Sequence, residues 1–185
     1  ELGLLRAARR DPRATARSAH RVIRGEWVQA LSRQAGSELL AVQALRNSLM
    51  SATINASTAV LMLMGSISLM LSQRDTSRLA SQTLSLRVLL ELAVVLALFA
   101  TYVCAAFAMR FYNHASFAMS LPVGSPERAS REGLAATYVQ RAGILYSWSL
   151  RCFLFLAPIV GGILAPVIML PVTLVLVLVL HVFDT

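Results

Sequence analysis

The chain has 185 residues, of which 57% are hydrophobic and only 14% charged. Soluble domains run at roughly 45–50% apolar and about 25% charged, so a water-soluble fold of this length would have too little polar surface to cover its apolar side chains. The formal charge of +8 comes from 17 basic residues, all arginine. These flank apolar runs and form no nucleic-acid module, which excludes nucleic acid as the partner and places basic segments beside membrane spans.

Glu1 to Arg46 is a basic segment that opens on Glu1-Leu2-Gly3-Leu4-Leu5. That opening reads as the tail of an apolar helix, and Asp11-Pro12 should break the chain. Ala16, Ala19, Ile23, Trp27 and Leu31 then recur at spacings of three and four, with Arg17, Arg21, Arg24 and Arg33 largely around the other sides. The pattern predicts an amphipathic helix lying at the membrane surface.

Asn47 to Gln73 carries no charge over 27 residues. About 20 apolar residues cross a hydrocarbon core of roughly 30 Å, so 47–73 is the first complete span. Arg74, Asp75 and Arg78 mark a short polar connection. The second span covers 87–109, with Glu91 one turn inside it and in reach of Arg87. Residues 110–143 are polar, hold Pro122, Gly124 and Pro126, and are expected as a loop. From Ala135 to Ser149 a helical pattern resumes, with Tyr138, Tyr146 and Trp148 suited to headgroup depth.

Residues 144–183 hold one or two spans. Cys152 to Phe183 is uncharged over 32 residues, about 48 Å as a straight helix. That is long for one crossing and short for two. Pro158, Gly161, Gly162, Pro166 and Pro171 interrupt it. A hairpin turning near Gly161-Gly162 is the preferred reading, and one tilted, kinked span is the alternative. The whole chain is thus a single all-α membrane domain: a polytopic transmembrane helical bundle with an amphipathic N-terminal interfacial helix and a Pro/Gly-broken C-terminal hairpin. The arginine excess places the N-terminal segment and the 110–143 segment together on the cytoplasmic side. A multi-pass protein of the bacterial inner membrane is expected.

Polar groups at bilayer depth are costly and mark the candidate site. Asn47, Ser51, Asn55 and Thr58 fall on one helical face, either as a hydrated path or as hydrogen bonds between packed helices, the second being preferred. Asn113 and His114 follow Arg110 at the expected end of the second span, where a structural cap outweighs a ligand cluster. Arg151 at the mouth of the last apolar run is expected to anchor the helix among headgroups or to hold a lipid phosphate. His20, His114 and His181 have no metal-ligand spacing, and Cys104 and Cys152 sit in apolar runs without a CxxC pair. No nucleophile elbow, P-loop or paired carboxylates are present, so neither a cofactor nor an enzyme is expected.

At Ala41-Val42-Gln43-Ala44-Leu45-Arg46-Asn47-Ser48-Leu49-Met50, followed by Ala56-Ser57-Thr58, the chain resembles the membrane-protein family filed as domain of unknown function 599. Arg24-Gly25-Glu26-Trp27, Arg110-Phe111-Tyr112-Asn113-His114 and the Arg151-Cys152-Phe153 block with Pro158 extend the likeness in order along nearly the whole chain. The resemblance implies a polytopic membrane protein, usually with a further span ahead of the basic segment, and implies no activity. The expected partners are the lipid bilayer and further copies of the chain, or a membrane complex to which it is an accessory subunit. A structural or assembly role is therefore the first expectation. A small-solute or ion channel with a polar path along Asn47, Ser51, Asn55 and Thr58 is the alternative.

Overall fold

The computed structural model describes residues 16–76 and 86–184. The apolar opening at Glu1–Leu5, the break at Asp11-Pro12 and the connection around Arg78 lie outside the described residues. The described chain is helical almost throughout: α1 Ala16–Arg33, α2 Glu38–Thr76, α3 Leu86–Met119, α4 Pro126–Leu154, α5 Leu156–Leu164 and α6 Pro166–Asp184. Among the described residues, three helical stretches are long and apolar enough to cross a membrane: Glu38–Ser72, Leu86–Met119 and Pro126–Leu164. Two of them contain most of the expected spans 47–73 and 87–109 and run longer, whereas the third begins at Pro126, inside the segment expected as a loop, and Pro166–Val182 is a separate, shorter apolar helix.

Helices α2, α3 and α4 form the bundle, with α3 antiparallel to α2 and α4, which run parallel to each other. The buried side of α2 is Ala41, Leu45, Ala52, Ala56 and Ala59, and that of α3 is Leu90, Val94, Leu98, Thr101, Ala105, Ala108 and Tyr112. Small side chains on the facing surfaces let the two backbones approach closely, which is how helices associate in lipid without a hydrophobic driving force. The outer faces carry Leu61, Met64, Leu69, Leu96 and Phe107. In water such a surface is an aggregation hazard, whereas in hydrocarbon it is matched to its solvent.

The 110–143 segment is not a loop. α3 runs on to Met119 and α4 starts at Pro126, leaving only 120–125 between them. Pro122, Gly124 and Pro126 all fall in or at the edge of this one short turn. Gly124 has φ of +88° there, as Gly36 has +82° between α1 and α2, a region that costs little only for glycine. The Ser125 side chain caps α4 by accepting from the Arg128 backbone N–H at 3.2 Å, and Pro126 at the first helical position sacrifices no internal bond.

The turn before α6 also differs from expectation. Gly161 and Gly162 are helical, and Gly162 is buried. A Cβ on Gly162 would meet Met169 Sδ at 3.1 Å and Leu90 Cδ1 at 3.4 Å, so this glycine serves close packing of α5 on α6 and α3. The reversal falls instead at Ala165, with φ −155° and ψ 120°. Pro166 forces it, since the residue before a proline is pushed out of the helical region. Pro158 lies in the first turn of α5 and lacks the N–H that would continue the helix from α4, which explains the interruption at Phe155.

Helix α1 runs antiparallel to α4 and packs along it. Val28 and Leu31 are buried, whereas Ile23 is 57% exposed. The expected apolar face is therefore turned partly outward. It is the side bearing Arg21 and Arg24 that meets α4: Arg21 Nε reaches Gln140 Oε1 at 3.4 Å, and a Cβ on Gly143 would collide with the Arg24 guanidinium.

One buried side chain fastens α1, α3 and α4 at the arginine-rich end. Arg128 is 3% exposed. Its Nη1 donates to Met119 O at 3.0 Å and Leu121 O at 2.6 Å, and its Nη2 donates to Leu31 O at 3.2 Å. Leu31 and Met119 lie in the last turns of α1 and α3, where helix carbonyls run out of intrahelical partners, and Leu121 lies in the turn that follows; Leu31 O also accepts from Ser37 Oγ at 2.7 Å. Glu38 Oε1 accepts from the Val123 N–H at 2.9 Å, so the start of α2 is tied to the same turn. Arg128→Ala should lower stability by about 2–4 kcal/mol, the cost of orphaned buried carbonyls, and Arg128→Lys should recover only part of it. Thermal unfolding in detergent measures this, and an unchanged midpoint for Arg128→Ala would refute the clasp.

Candidate functional site

The middle of the bundle holds the polar contact that joins all three long helices. Asn55 Nδ2 on α2 donates to Ser149 Oγ on α4 at 2.6 Å. Ser149 Oγ donates in turn to Thr101 O on α3 at 2.9 Å, and Thr101 Oγ1 closes on Ala97 O at 2.8 Å. Ser149 and Thr101 are fully buried. A hydroxyl that accepts from one helix and donates to another leaves few polar groups facing hydrocarbon. Each such interhelical bond contributes about 0.6–2 kcal/mol in a membrane.

The other members of the α2 stripe do not join Asn55. Asn47, Ser51 and Thr58 are exposed on the flank of the helix. Ser51 Oγ and Thr58 Oγ1 donate to the carbonyls of Asn47 and Ile54 in their own helix, at 3.1 and 2.9 Å. Sequence spacing placed the four on one face, but that face straddles the edge of the packed surface. Only its Asn55 side turns inward.

Arg110, Asn113 and His114 are exposed along α3, which passes them without ending. They therefore cap no helix terminus. The His114 ring lies 5.6 Å from that of Tyr138, and Phe111 stacks on Tyr138 at 5.7 Å. Arg151 lies in the last turn of α4, well inside a helical stretch that begins at Pro126. It follows Ser149 by two residues and Arg141 by ten, about 15 Å along the helix, at the depth of Thr101. It is half-buried, with its guanidinium carbon 5.8 Å from the centroid of the Trp148 ring. The face of an indole ring attracts a nearby guanidinium, so Trp148 helps to hold Arg151 in place.

Sequence reasoning missed Ser149, Thr101, Tyr112 and Ser48. Tyr112 is buried in one apolar cluster with Val28 and Leu31 of α1, Ala41 and Leu45 of α2, and Ala135 and Val139 of α4, so α1, α2, α3 and α4 meet around it. Single polar residues in apolar runs were the available signal, and Ser149 is one. Cys104 and Cys152 are free thiols, neither fully buried. Among the described residues no group of three or more His, Cys, Asp or Glu side chains is placed to hold a metal ion.

Long apolar helices, an interhelical amide–hydroxyl chain and arginines clustered toward one end define a polytopic helical membrane protein. Within that class, the chain belongs to the family described as protein of unknown function DUF599, whose pattern matches residues 1–185. No curated protein and no solved structure matches it. If Asn55 and Ser149 hold the spans together, Asn55→Ala and Ser149→Ala should each destabilise the protein, and a double-mutant cycle should give a coupling of about 0.6–2 kcal/mol. Strictly additive losses would show that the contact contributes nothing.

Proposed function

We propose that the protein is a structural or assembly component of the bacterial inner membrane that acts as a homo-oligomer, with the flank of α2 as the surface between copies. The observation that carries this reading is the row Ser51, Thr58, Gly65 and Ser72. These residues are all small, all exposed, and spaced by seven along α2. A seven-residue repeat keeps one seam of a helix against a partner. The hydroxyls of Ser51 and Thr58 are satisfied within α2, so the seam can pack without unmet polar groups. A Cβ on Gly65 would have nothing within 4 Å, which leaves room for a second backbone. Ala52, Ala56, Ala59 and Ala105, by contrast, are used up inside the protomer.

The channel reading has less support from the geometry. Asn55 is occupied by Ser149, and Asn47, Ser51 and Thr58 face outward. A polar path along them would have to run between copies. Nothing in the site favours catalysis over assembly.

With Cys104 and Cys152 replaced by Ala, Thr58→Cys should cross-link to a dimer in native membranes, and Gly65→Leu should weaken the association about ten-fold. Dimer yield on oxidation and analytical ultracentrifugation in detergent read both effects. A monomer that does not cross-link at position 58 and ignores Gly65→Leu would overturn the proposal. Solute flux into liposomes that is lost with Asn55→Ala would favour the channel instead.

A further inference from the structure

We infer that the outer groove between α2 and α3, bounded by Leu39, Arg46, Arg110 and Phe117, is a docking surface outside the bilayer for an acidic, amphipathic segment of another protein. The inference does not depend on the oligomeric reading of α2, whose seam of Ser51, Thr58, Gly65 and Ser72 lies on a different flank of that helix.

Contacts at both ends of the groove fix which side chains share it. Thr53 Oγ1 lies 3.1 Å from Met109 Sδ, which brings those faces of α2 and α3 together. Arg46 and Leu39 precede Thr53 by seven and fourteen residues, a spacing that keeps them on its face of α2. Arg110 and Phe117, also seven apart, lie on the side of α3 next to Met109, turned out from the buried row of Ala108, Tyr112 and Ala115. At the far end, Glu38 Oε1 accepts from the Val123 N–H at 2.9 Å and holds the start of α2 against the turn that follows α3.

The helix register gives the level of these residues. Through Ser149, Asn55 and Thr101 are held at one level. Arg46 is nine residues from Asn55 and Arg110 nine from Thr101, toward the same end of the antiparallel pair, about 14 Å along the helices. In the other direction the Arg87–Glu91 pair, 3.0 Å apart, begins ten residues from Thr101. The hydrogen-bonded chain is therefore midway between two charged levels roughly 30 Å apart, the thickness of a hydrocarbon core. Leu39 and Phe117 are each sixteen residues out, about 24 Å, past the roughly 20–22 Å half-thickness of a whole bilayer. They are 69% and 73% exposed. Lipid tails do not reach this level, so two large exposed apolar side chains there mark a surface for a protein partner.

Charge sets the chemistry of that partner. Arg46 and Arg110 are exposed at one level across the groove, and residues 39–53 and 109–119 contain no Asp or Glu. Glu38, next to Leu39 in sequence, is engaged by the Val123 N–H. A helix laid in the groove meets an apolar pair toward its outer end and two cations seven residues nearer the bilayer. An apolar side chain followed two turns later by a carboxylate matches both, and a basic segment is repelled.

The test uses the full chain in phosphatidylcholine vesicles, with protein-free vesicles as the blank, and two synthetic helical peptides. One is built of Leu and Glu with Leu at every third or fourth position, and the other carries Lys in place of Glu. Fluorescence anisotropy should show saturable binding of the Leu/Glu peptide and none of the Leu/Lys peptide. Leu39→Ser and Phe117→Ser should each weaken binding about ten-fold, whereas Arg131→Gln, at an exposed position on α4, should leave it unchanged. Arg46→Glu combined with Arg110→Glu should turn the preference to the Leu/Lys peptide, and this variant keeps the test decisive if a serine variant does not fold. No binding of the Leu/Glu peptide, or binding that Phe117→Ser and Arg131→Gln weaken equally, would overturn the surface. Loss of binding when phosphatidylglycerol is added at constant ionic strength would assign the two arginines to lipid and overturn it. So would cross-linking of Phe117→Cys to a second copy in a chain lacking Cys104 and Cys152, which would assign the groove to self-association.

Discussion

An amide side chain among apolar helices has few partners to choose from, and in this protein an Asn55 N–H donates to Ser149, whose hydroxyl donates in turn to the Thr101 carbonyl. That chain of two hydrogen bonds sets the register of α2, α3 and α4 against one another. A shift of one helical turn in any of them would separate the donors from the acceptors. The small residues of α2 and α3 would then no longer face each other. Packing and polar satisfaction thus select the same arrangement, as they must where hydrocarbon offers no alternative partners.

Once the register is set, the arginines separate by depth and by role. Arg128 is farthest out, buried, and spends its donors on the ends of α1 and α3. Arg24 reaches between α1 and α4 into the space left by Gly143. Arg151 lies in the last turn of α4 beside Trp148. One residue type serves as a structural clasp, as a wedge between α1 and α4, and as a cation beside an aromatic ring, and only its surroundings distinguish the three.

The spans were legible in the sequence because a charge-free run longer than the hydrocarbon thickness has no other stable environment. The fold class follows from that alone. Helix ends were less legible. Pro122, Gly124 and Pro126 looked like a broad loop, but they fall in or beside one six-residue turn, and the polar residues around them belong to helices continuing beyond the bilayer. Gly161-Gly162 looked like a turn because glycine permits one, yet Met169 and Leu90 need the space that glycine leaves. Pro166 acts through the residue before it, a more specific signal than a pair of glycines. The inward face of α1 was misassigned because the bundle presents Gly143 and Gln140 to it and so accepts arginine. Asn55 was legible as a residue needing a partner. Ser149 and Thr101 were not, since which polar residues meet across helices depends on a register that no single segment encodes.

The account rests on α2, α3 and α4 crossing a bilayer with the arginine-rich turn and the start of α3 on opposite sides. Single cysteines at Ser130 and at Leu86, both exposed, placed in a chain lacking Cys104 and Cys152, test it with a membrane-impermeant thiol reagent on sealed vesicles of known orientation. The account predicts that one position reacts from outside and the other only after the membrane is opened. Reaction of both positions from the same face would contradict it.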